Sequence, residues 1–257
     1  MSDNLKNQVA ARTDHRPMNA TDVPMHGITP GGLHPSTGPS VAMSVHSRHL
    51  IEVKIKSLRP TQMTVGMAEV HHKSEHWSAL DAKKRSSYLA RHWFPAVRGP
   101  KGVYYIIDHH HLGLALIHDK VQDTQLVLMQ DFSALSQDEF WIVMDHHQWV
   151  HPYDQFGNRC DFTAVPKKLA DMADDPYRSL AGAAKNVGAF PKEQEPFAEF
   201  LWADFYRRRI SRHQLKKDPE GALLRAIELA HDKESAHLPG WSGSSSSDAY
   251  DWKFIRK

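Results

Sequence analysis

The segment of residues 94–119 constrains the fold more than any other part of the chain. Two apolar stretches, 94–97 and 103–107, flank the turn-forming residues 98–102, which predicts two strands joined by a turn. The second strand ends at an acid, and residues 110–119 then repeat apolar side chains at helical spacing. A chain with this order brings a helix N-terminus directly to the end of a strand.

The rest of the first half mixes strands with helices. Period-two alternation predicts a strand at 50–55, the segment 124–129 is predicted to be another strand, and apolar spacing predicts a helix at 78–92. The pattern leaves the type of the short segment 69–73 open.

The second half of the chain is predicted to be helical. Ser136 and Glu139 have the spacing of a capping box, and Asp175 followed by Pro176 is typical of a helix start. Further apolar patterns predict helices at 197–210 and 220–231, the first with a basic outer face. The aromatic residues of 197–206 are interpreted as core rather than as a cofactor site. An α+β fold with a helical second half fits this order best.

Composition divides the chain into four parts: a disordered tail at 1–45, a mixed core at 46–132, a helical part at 133–238 and a flexible tail at 239–257. The tails are rich in Pro, Gly and Ser and lack a periodic apolar face. Trp241 and Trp252 are nevertheless large enough to dock onto the body.

Charge and cysteine content exclude several classes of protein. The 32 basic and 30 acidic residues leave a net charge of +2, too small for a whole-protein attraction to nucleic acid or an anionic membrane. The one cysteine, Cys160, excludes an intramolecular disulfide and a thiolate zinc cluster. The apolar runs are shorter than the ~20 residues that span a bilayer, and the N-terminus lacks the apolar stretch of a secretory signal. We therefore expect a soluble, cytoplasmic protein without a membrane partner.

The sharpest local feature is the sequence Asp-His-His-His-Leu at 108–112. Unpaired N–H groups at a helix N-terminus attract an anion, and imidazoles add donors near pH 7. Asp108 could orient a hydroxyl group or hold Mg²⁺. This pattern favours phosphate binding. The alternative is that Asp108 only caps the helix and the histidines pack or face solvent.

The chain resembles the ParB/sulfiredoxin superfamily, and within it the branch of ParB-like nucleases. The resemblance rests on these segments: 58–62, Glu69, 94–97, 104–107, 108–111 with Ala115, 139–141, 152–154, 174–181 and 197–203. It implies a ParB/sulfiredoxin-like core. It does not imply one activity, because members of the superfamily bind nucleotides for different functions.

Three groups of proteins within the superfamily have different residues at the motif that corresponds to 108–112. Sulfiredoxins place a nucleophilic cysteine where this chain has His110, and Cys160 lies far away in sequence. Partition ParB proteins carry an arginine pair there and a helix-turn-helix behind it. Free serine kinases carry Asp-Gly-His-His-Arg with an upstream glutamate as base, and this pattern is nearest. His109 then replaces glycine and Leu112 replaces arginine, so phosphate binding must use another cation.

The resemblance and the residue types together give the predicted site. The predicted catalytic residues are Glu69 as general base, Asp108 and His111. The predicted phosphate-binding residues are His109, His110, Arg98 and Arg178. The predicted substrate-binding residues are Gln62, Thr64 and Lys73. Exposed surface charge is the alternative interpretation for Glu69, Arg98 and Arg178.

The predicted function is a nucleotide-binding phosphotransferase that acts on a small hydroxylated molecule such as serine. It implies a nucleoside di- or triphosphate, with Mg²⁺ on Asp108. A protein-ligated transition metal is less favoured, because no known ligand spacing supports it. It would be built from His109 or His111, Asp108 and one of two other clusters, either His71, His72 and His76 or residues 145–147 with His151. The alternative functions are a nucleotide-gated DNA-binding partition protein and a ParB-like nuclease. For these the basic residues 207–217 are the candidate DNA contact, although no clear helix-turn-helix is present. The oligomeric state stays open.

Overall fold

The computed structural model describes residues 49–243. Within this range the strands are β1 (Leu50–Lys54), β2 (Thr64–Val65), β3 (Phe94–Arg98), β4 (Tyr104–Ile106), β5 (Asp123–Asp131) and β6 (Ala173–Asp174). The helices are α1 (Met67–Ser78), α2 (Ala82–Arg91), α3 (His110–His118), α4 (Gln137–His146), α5 (Pro176–Asn186), α6 (Ala198–Arg207), α7 (Arg212–Lys217) and α8 (Pro219–Ala230). The α+β prediction is confirmed.

Four strands form a mixed sheet in the order β1-β5-β3-β4. β5 pairs antiparallel with β1 and parallel with β3, and β3 pairs antiparallel with β4. The sheet places Ile106, the last residue of β4, opposite Ala96. The chain then leaves the sheet at Asp108 and enters α3, as the sequence predicts.

A second, two-stranded sheet joins distant parts of the chain. β2 and β6 run parallel, with Thr64 opposite Ala173 and Val65 opposite Asp174. Each strand leads directly into a helix, β2 into α1 and β6 into α5. The parallel pairing therefore sets the N-termini of α1 and α5 side by side, and sequence patterns gave no sign of this sheet.

The buried apolar residues fall into three clusters. One packs α1 and α3 against the sheet, a second packs α4 against β3 and β4, and the third joins α5, α6 and α8. In the third cluster the rings of Phe190 and Trp202 stack with centroids 4.2 Å apart. Trp202, Phe205 and Tyr206 of α6 belong to this cluster and are core, as predicted, whereas Phe200 lies outside it.

Most predicted elements are confirmed, and the largest boundary error is at the start of α2. The capping box of Ser136 and Glu139 and the Asp175 cap with Pro176 at the first turn are both present. The helix predicted at 78–92 instead begins at Ala82, because the Asp81 side chain accepts the N–H of Lys84 at 2.8 Å and starts a new helix. The segment at 69–73, left open above, belongs to α1.

The predicted N-terminal tail and Trp252 lie outside the described residues. Trp241 docks onto the body, since its Nε1 donates to the Asp232 carbonyl oxygen at 3.1 Å. No helix within residues 49–243 has the length and apolar character needed to cross a membrane.

Candidate functional site

The junction between β4 and α3 holds Asp108 and His109. Asp108 is exposed, and its Oδ1 accepts a 2.6 Å hydrogen bond from the His109 backbone N–H. His109 has a left-handed backbone with φ at 65°, and its Nδ1–H donates to the Trp93 carbonyl oxygen at 3.1 Å. A left-handed residue costs about 1–2 kcal/mol unless it is glycine. The free serine kinase motif has glycine at this position, which adopts the conformation at low cost.

His110 is buried, and its ring is used by the fold. Its Nε2 accepts a hydrogen bond from the Thr61 backbone N–H at 3.1 Å, while the Thr61 hydroxyl donates to the Ile106 carbonyl oxygen at 2.9 Å. Burial lowers the pKa of His110 to about 3, against the raising effect of the Asp108 charge. The ring is therefore neutral at pH 7, and its one acceptor nitrogen is occupied by the backbone.

His111 is also buried and ties α3 to α1. Its Nε2 accepts a hydrogen bond from the Gly66 backbone N–H at 3.0 Å. Burial and the positive charges of Arg178 and Lys73 lower the pKa of His111 well below its usual value. The same Nε2 lies 3.7 Å from Oε2 of Glu69. Because the ring is neutral and this nitrogen is an acceptor, the two groups do not form an ion pair.

The N-terminus of α1 is capped by side chains from three other elements. His111 of α3 accepts from Gly66, Oδ1 of Asp174 from Met67 at 3.1 Å, and Oγ of Ser179 from Ala68 at 3.2 Å. These bonds satisfy N–H groups that a helix start leaves without partners. Glu69 stands one turn further along and is fixed in place by this frame.

An ionic cluster surrounds the carboxylate of Glu69. Its Oε1 lies 3.4 Å from Nζ of Lys73, one turn further along α1, and its Oε2 lies 3.9 Å from Nη1 of Arg178 on α5. Arg178 and Lys185 both pair with Glu199 of α6. We call these five residues the Glu69 cluster. The Glu69 side chain is 33% exposed, whereas that of Arg178 is 10% exposed, so Glu69 and Lys73 form the open side of the cluster.

Sequence reasoning missed two members of the cluster, Lys185 and Glu199. Lys185 lies seven residues after Arg178, two helical turns that place both side chains on one face of α5. That spacing is a signal that could have found Lys185. Nothing local in the sequence pairs either residue with Glu199, because α6 reaches them only in the folded chain.

The structure does not bring every predicted site residue to this cluster. Phe94 of β3 packs against His109, with ring centroids 6.1 Å apart. Arg98 lies four residues further along β3, which is about 13 Å along a strand, and its guanidinium pairs with Asp131 at 3.5 Å. Gln62 and Thr64 are buried, and Nε2 of Gln62 donates to the Thr64 carbonyl oxygen at 2.8 Å. Arg98 is therefore away from the histidine motif, and the Gln62 amide is committed to the backbone beside β2.

The histidines and Asp108 carry side chains that commonly bind metal ions. Within residues 49–243, no group of three or more His, Cys, Asp or Glu side chains is arranged to hold a metal ion. Mg²⁺ commonly uses one or two carboxylates together with substrate phosphates and water. Magnesium at Asp108 thus stays a prediction that depends on a bound phosphate.

The fold and the site define an α+β protein whose polar centre lies where α1 and α5 begin and where α3 starts from an acid. Residues 51–208 match the family described as "Putative ParB-like nuclease", and the chain belongs to that family. The prediction of a ParB-like branch is thereby confirmed.

The fold is also similar to that of a solved structure. The crystal structure of protein Atu1540 from Agrobacterium tumefaciens is 43% identical in sequence, with a TM-score of 0.71. The match covers 77% of this chain and 100% of that chain. No curated protein matches the chain.

Proposed function

We propose that the chain is a phosphotransferase, which moves a phosphoryl group from a nucleotide to a small hydroxylated substrate with Glu69 as the general base. The observation that carries the proposal is the position of the Glu69 carboxylate. It is partly exposed, and it lies 3.4 Å from Lys73 and 3.9 Å from Arg178. A general base needs access to the substrate proton and a fixed position. The partial exposure of this carboxylate gives the access, and its two cationic neighbours fix its position.

The charge balance of the cluster supports an anionic partner. Lys73, Arg178 and Lys185 carry three positive charges, while Glu69 and Glu199 carry two negative charges, so the surplus is 3 − 2 = +1. His111 adds no charge, because its pKa lies well below its usual value through burial and nearby cations. Phosphoryl transfer depends mainly on such positioned cations and on one carboxylate near the attacking hydroxyl.

The start of α3 provides donors that suit a phosphate. No side chain caps this helix, so its first N–H groups lack the partner that Asp81 or Ser136 supplies to α2 and α4. The charge of Lys73 contributes to lowering the pKa of both His109 and His111, after the larger effect of burial, so the ammonium group lies near this helix start. The N–H groups of α3, Lys73 and Arg178 would hold the phosphates, and Asp108 would hold Mg²⁺. When bound, the nucleotide supplies the phosphoryl group.

The residue at position 112 explains why these cations are needed. Leu112 replaces the motif arginine and is buried in the cluster that packs α1 and α3 against the sheet. It offers no donor to a phosphate, and Lys73 and Arg178 take over this role in our proposal.

Phosphodiester hydrolysis is the second candidate, and the family description favours it. The same carboxylate would then deprotonate a water molecule instead of a substrate hydroxyl. DNA would be the substrate in this case, and the nucleotide would not be consumed.

The experiment that tests the proposal compares both reactions with one preparation. Purified protein is given ATP, ADP or CTP with Mg²⁺ and a panel of hydroxylated amino acids, and separately single- and double-stranded DNA. We expect a phosphorylated small molecule and intact DNA. DNA cleavage without nucleotide consumption would support hydrolysis, and no turnover in either assay would contradict both candidates.

A lysine pair tests the site itself. Lys73→Gln removes the cation beside Glu69, whereas Lys83→Gln removes an exposed lysine of α2. We expect Lys73→Gln to raise KM for the nucleotide roughly 10- to 150-fold, because one charge-assisted contact contributes roughly 1.5–3 kcal/mol, while Lys83→Gln leaves KM unchanged. Equal KM values for the two variants would exclude Lys73 as a phosphate contact.

A further inference from the structure

A cavity of about 460 Å³ opens between the loop that follows α4 and the first turns of α6. Small-molecule pockets commonly measure roughly 300–1,000 Å³. No residue of the Glu69 cluster lines this cavity. We call it the α6 cavity.

Aromatic rings form one wall of the α6 cavity. The ring of His151 contacts those of Tyr153, Phe197 and Phe200, with centroids 4.6, 4.8 and 3.9 Å away. Burial, and secondarily the charge of Arg178, lowers the pKa of His151 to about 3, so this ring is neutral at pH 7. Arg178 lies behind the wall, 5.3 Å from the Phe200 centroid, and its charge is paired with Glu199.

The wall is built in advance of any ligand. Phe197 has a left-handed backbone with φ at 62°, a strained conformation for a residue with a bulky side chain. Tyr153 is fixed by a bridge to Arg159 across a turn. Oδ1 of Asp154 holds that turn by accepting the N–H groups of Phe156 and Asn158 at 2.9 and 2.8 Å. Strain held in place by the surrounding structure is common at ligand clamps.

The charges that line the α6 cavity are mostly negative. Three carboxylates, from Asp145, Glu195 and Asp204, face one guanidinium, from Arg159. Arg159 lies 3.5 Å from Asp145, and Asp204 is bonded at 3.1 Å to Arg207, which is outside the lining. Among residues 49–243, the exposed Glu195 has no ion-pair partner, so it stands ready for a positive charge at the rim.

We propose that the α6 cavity is a binding site for a small organic cation, such as a substituted ammonium ion. The faces of aromatic rings attract a cation, and an apolar body around the charge gains from contact with the same rings. The carboxylates supply the counter-charge and disfavour phosphates and other anions. The site is thus chemically opposite to the Glu69 cluster, whose surplus charge is positive.

The test uses choline and its uncharged analogue 3,3-dimethylbutan-1-ol, which has the same shape. Titration of the full chain by calorimetry is expected to give saturable choline binding, with the analogue about tenfold weaker because it lacks the cation–ring attraction. Equal affinity for the two compounds would overturn the proposal, as would the absence of saturable choline binding.

Two variants locate the binding. Phe197→Gly removes one ring at a position whose backbone glycine adopts readily, and Glu195→Gln removes one exposed charge. Each is expected to lower the affinity for choline about three- to tenfold, while the matched exposed variant Glu193→Gln is expected to leave it unchanged. Thermal unfolding of each variant verifies the fold. Choline binding that survives both changes would place it elsewhere and overturn the assignment.

Discussion

Nε2 of His111 accepts a hydrogen bond of 3.0 Å from the backbone N–H of Gly66. This single bond joins the second residue of α3 to the residue that precedes α1, and Glu69 follows one turn later. The histidine motif therefore builds the frame that holds the carboxylate. Its neutral rings bind backbone groups, and the cations near Glu69 come from α1 and α5.

Replacing His111 is expected to destabilise the fold. His111→Ala leaves the buried Gly66 N–H without an acceptor, which costs about 1–3 kcal/mol in the free energy of unfolding, plus the loss of packing. His118→Ala, at an exposed position of the same helix, is expected to change it by less than about 0.5 kcal/mol. Urea unfolding measures both values. Equal stability of the two variants would show that the His111 bond does not hold α1.

The buried histidines predict a dependence of stability on acid pH. Burial lowers the pKa of His110 and of His151 to about 3 in the folded chain, against about 6.5 for an unperturbed histidine. Between these values the unfolded chain binds protons that the folded chain does not. The free energy of unfolding therefore falls as the pH drops below about 6.5, by up to ~1.4 kcal/mol per pH unit for each histidine.

His151→Leu isolates one histidine in this pH series. The variant is expected to lose stability on acidification less steeply than the wild type, by up to ~1.4 kcal/mol per pH unit between about pH 6 and pH 4. Urea unfolding at several pH values gives the two slopes. Identical slopes would mean that His151 is protonated equally in the folded and unfolded states.

The left-handed backbone of His109 predicts a difference between two small replacements. His109→Gly loses the ring bond to Trp93 but releases backbone strain, so its stability is expected to stay near that of the wild type. His109→Ala loses the bond and keeps the strain, and is expected to be about 1–2 kcal/mol less stable than His109→Gly. Thermal and urea unfolding of the pair check this order. Greater stability of the alanine variant would contradict the conformation of this residue.

Two glycines near the Glu69 cluster are expected to respond oppositely to alanine. A Cβ at Gly66 would lie 2.8 Å from the backbone nitrogen of Ser179, so Gly66→Ala must separate α1 from α5 and is expected to cost about 1–3 kcal/mol. A Cβ at Gly182 would meet Nη1 of Arg178 at an ordinary 3.4 Å, and helix propensity then favours Gly182→Ala by about 0.5–1 kcal/mol. Unfolding free energies of the two variants decide the matter. A stable Gly66→Ala variant would contradict the close approach of the two helices.

Local signals predicted the elements of the fold that local chemistry determines. The strands on either side of residues 98–102, the Ser136 capping box and the Asp175 cap each depend on residues within a few positions of one another. The pairing of Thr64 with Ala173 depends on two short strands far apart in sequence, and no periodicity marks strands of two residues.

The candidate site likewise combines features that depend on nearby residues with features that depend on residues far apart in the sequence. The sequence placed the histidines at the start of a helix and selected Glu69, Lys73 and Arg178, which the fold brings together. It could not show that the backbone N–H groups of Thr61 and Gly66 donate hydrogen bonds to Nε2 of His110 and His111. These partners lie 49 and 45 residues away in the sequence. Glu199 was missed for the same reason.

The most direct test of the proposed function compares two glutamates on α1. Glu69→Gln removes the carboxylate beside Lys73 and Arg178, and Glu75→Gln removes an exposed carboxylate of the same helix. With the substrate that the wild type turns over best, we expect Glu69→Gln to lower kcat roughly 100-fold or more, the usual contribution of a general base. Glu75→Gln is expected to keep the wild-type kcat. If Glu69→Gln folds normally and retains full kcat, then Glu69 is not the base, and the proposed mechanism is wrong.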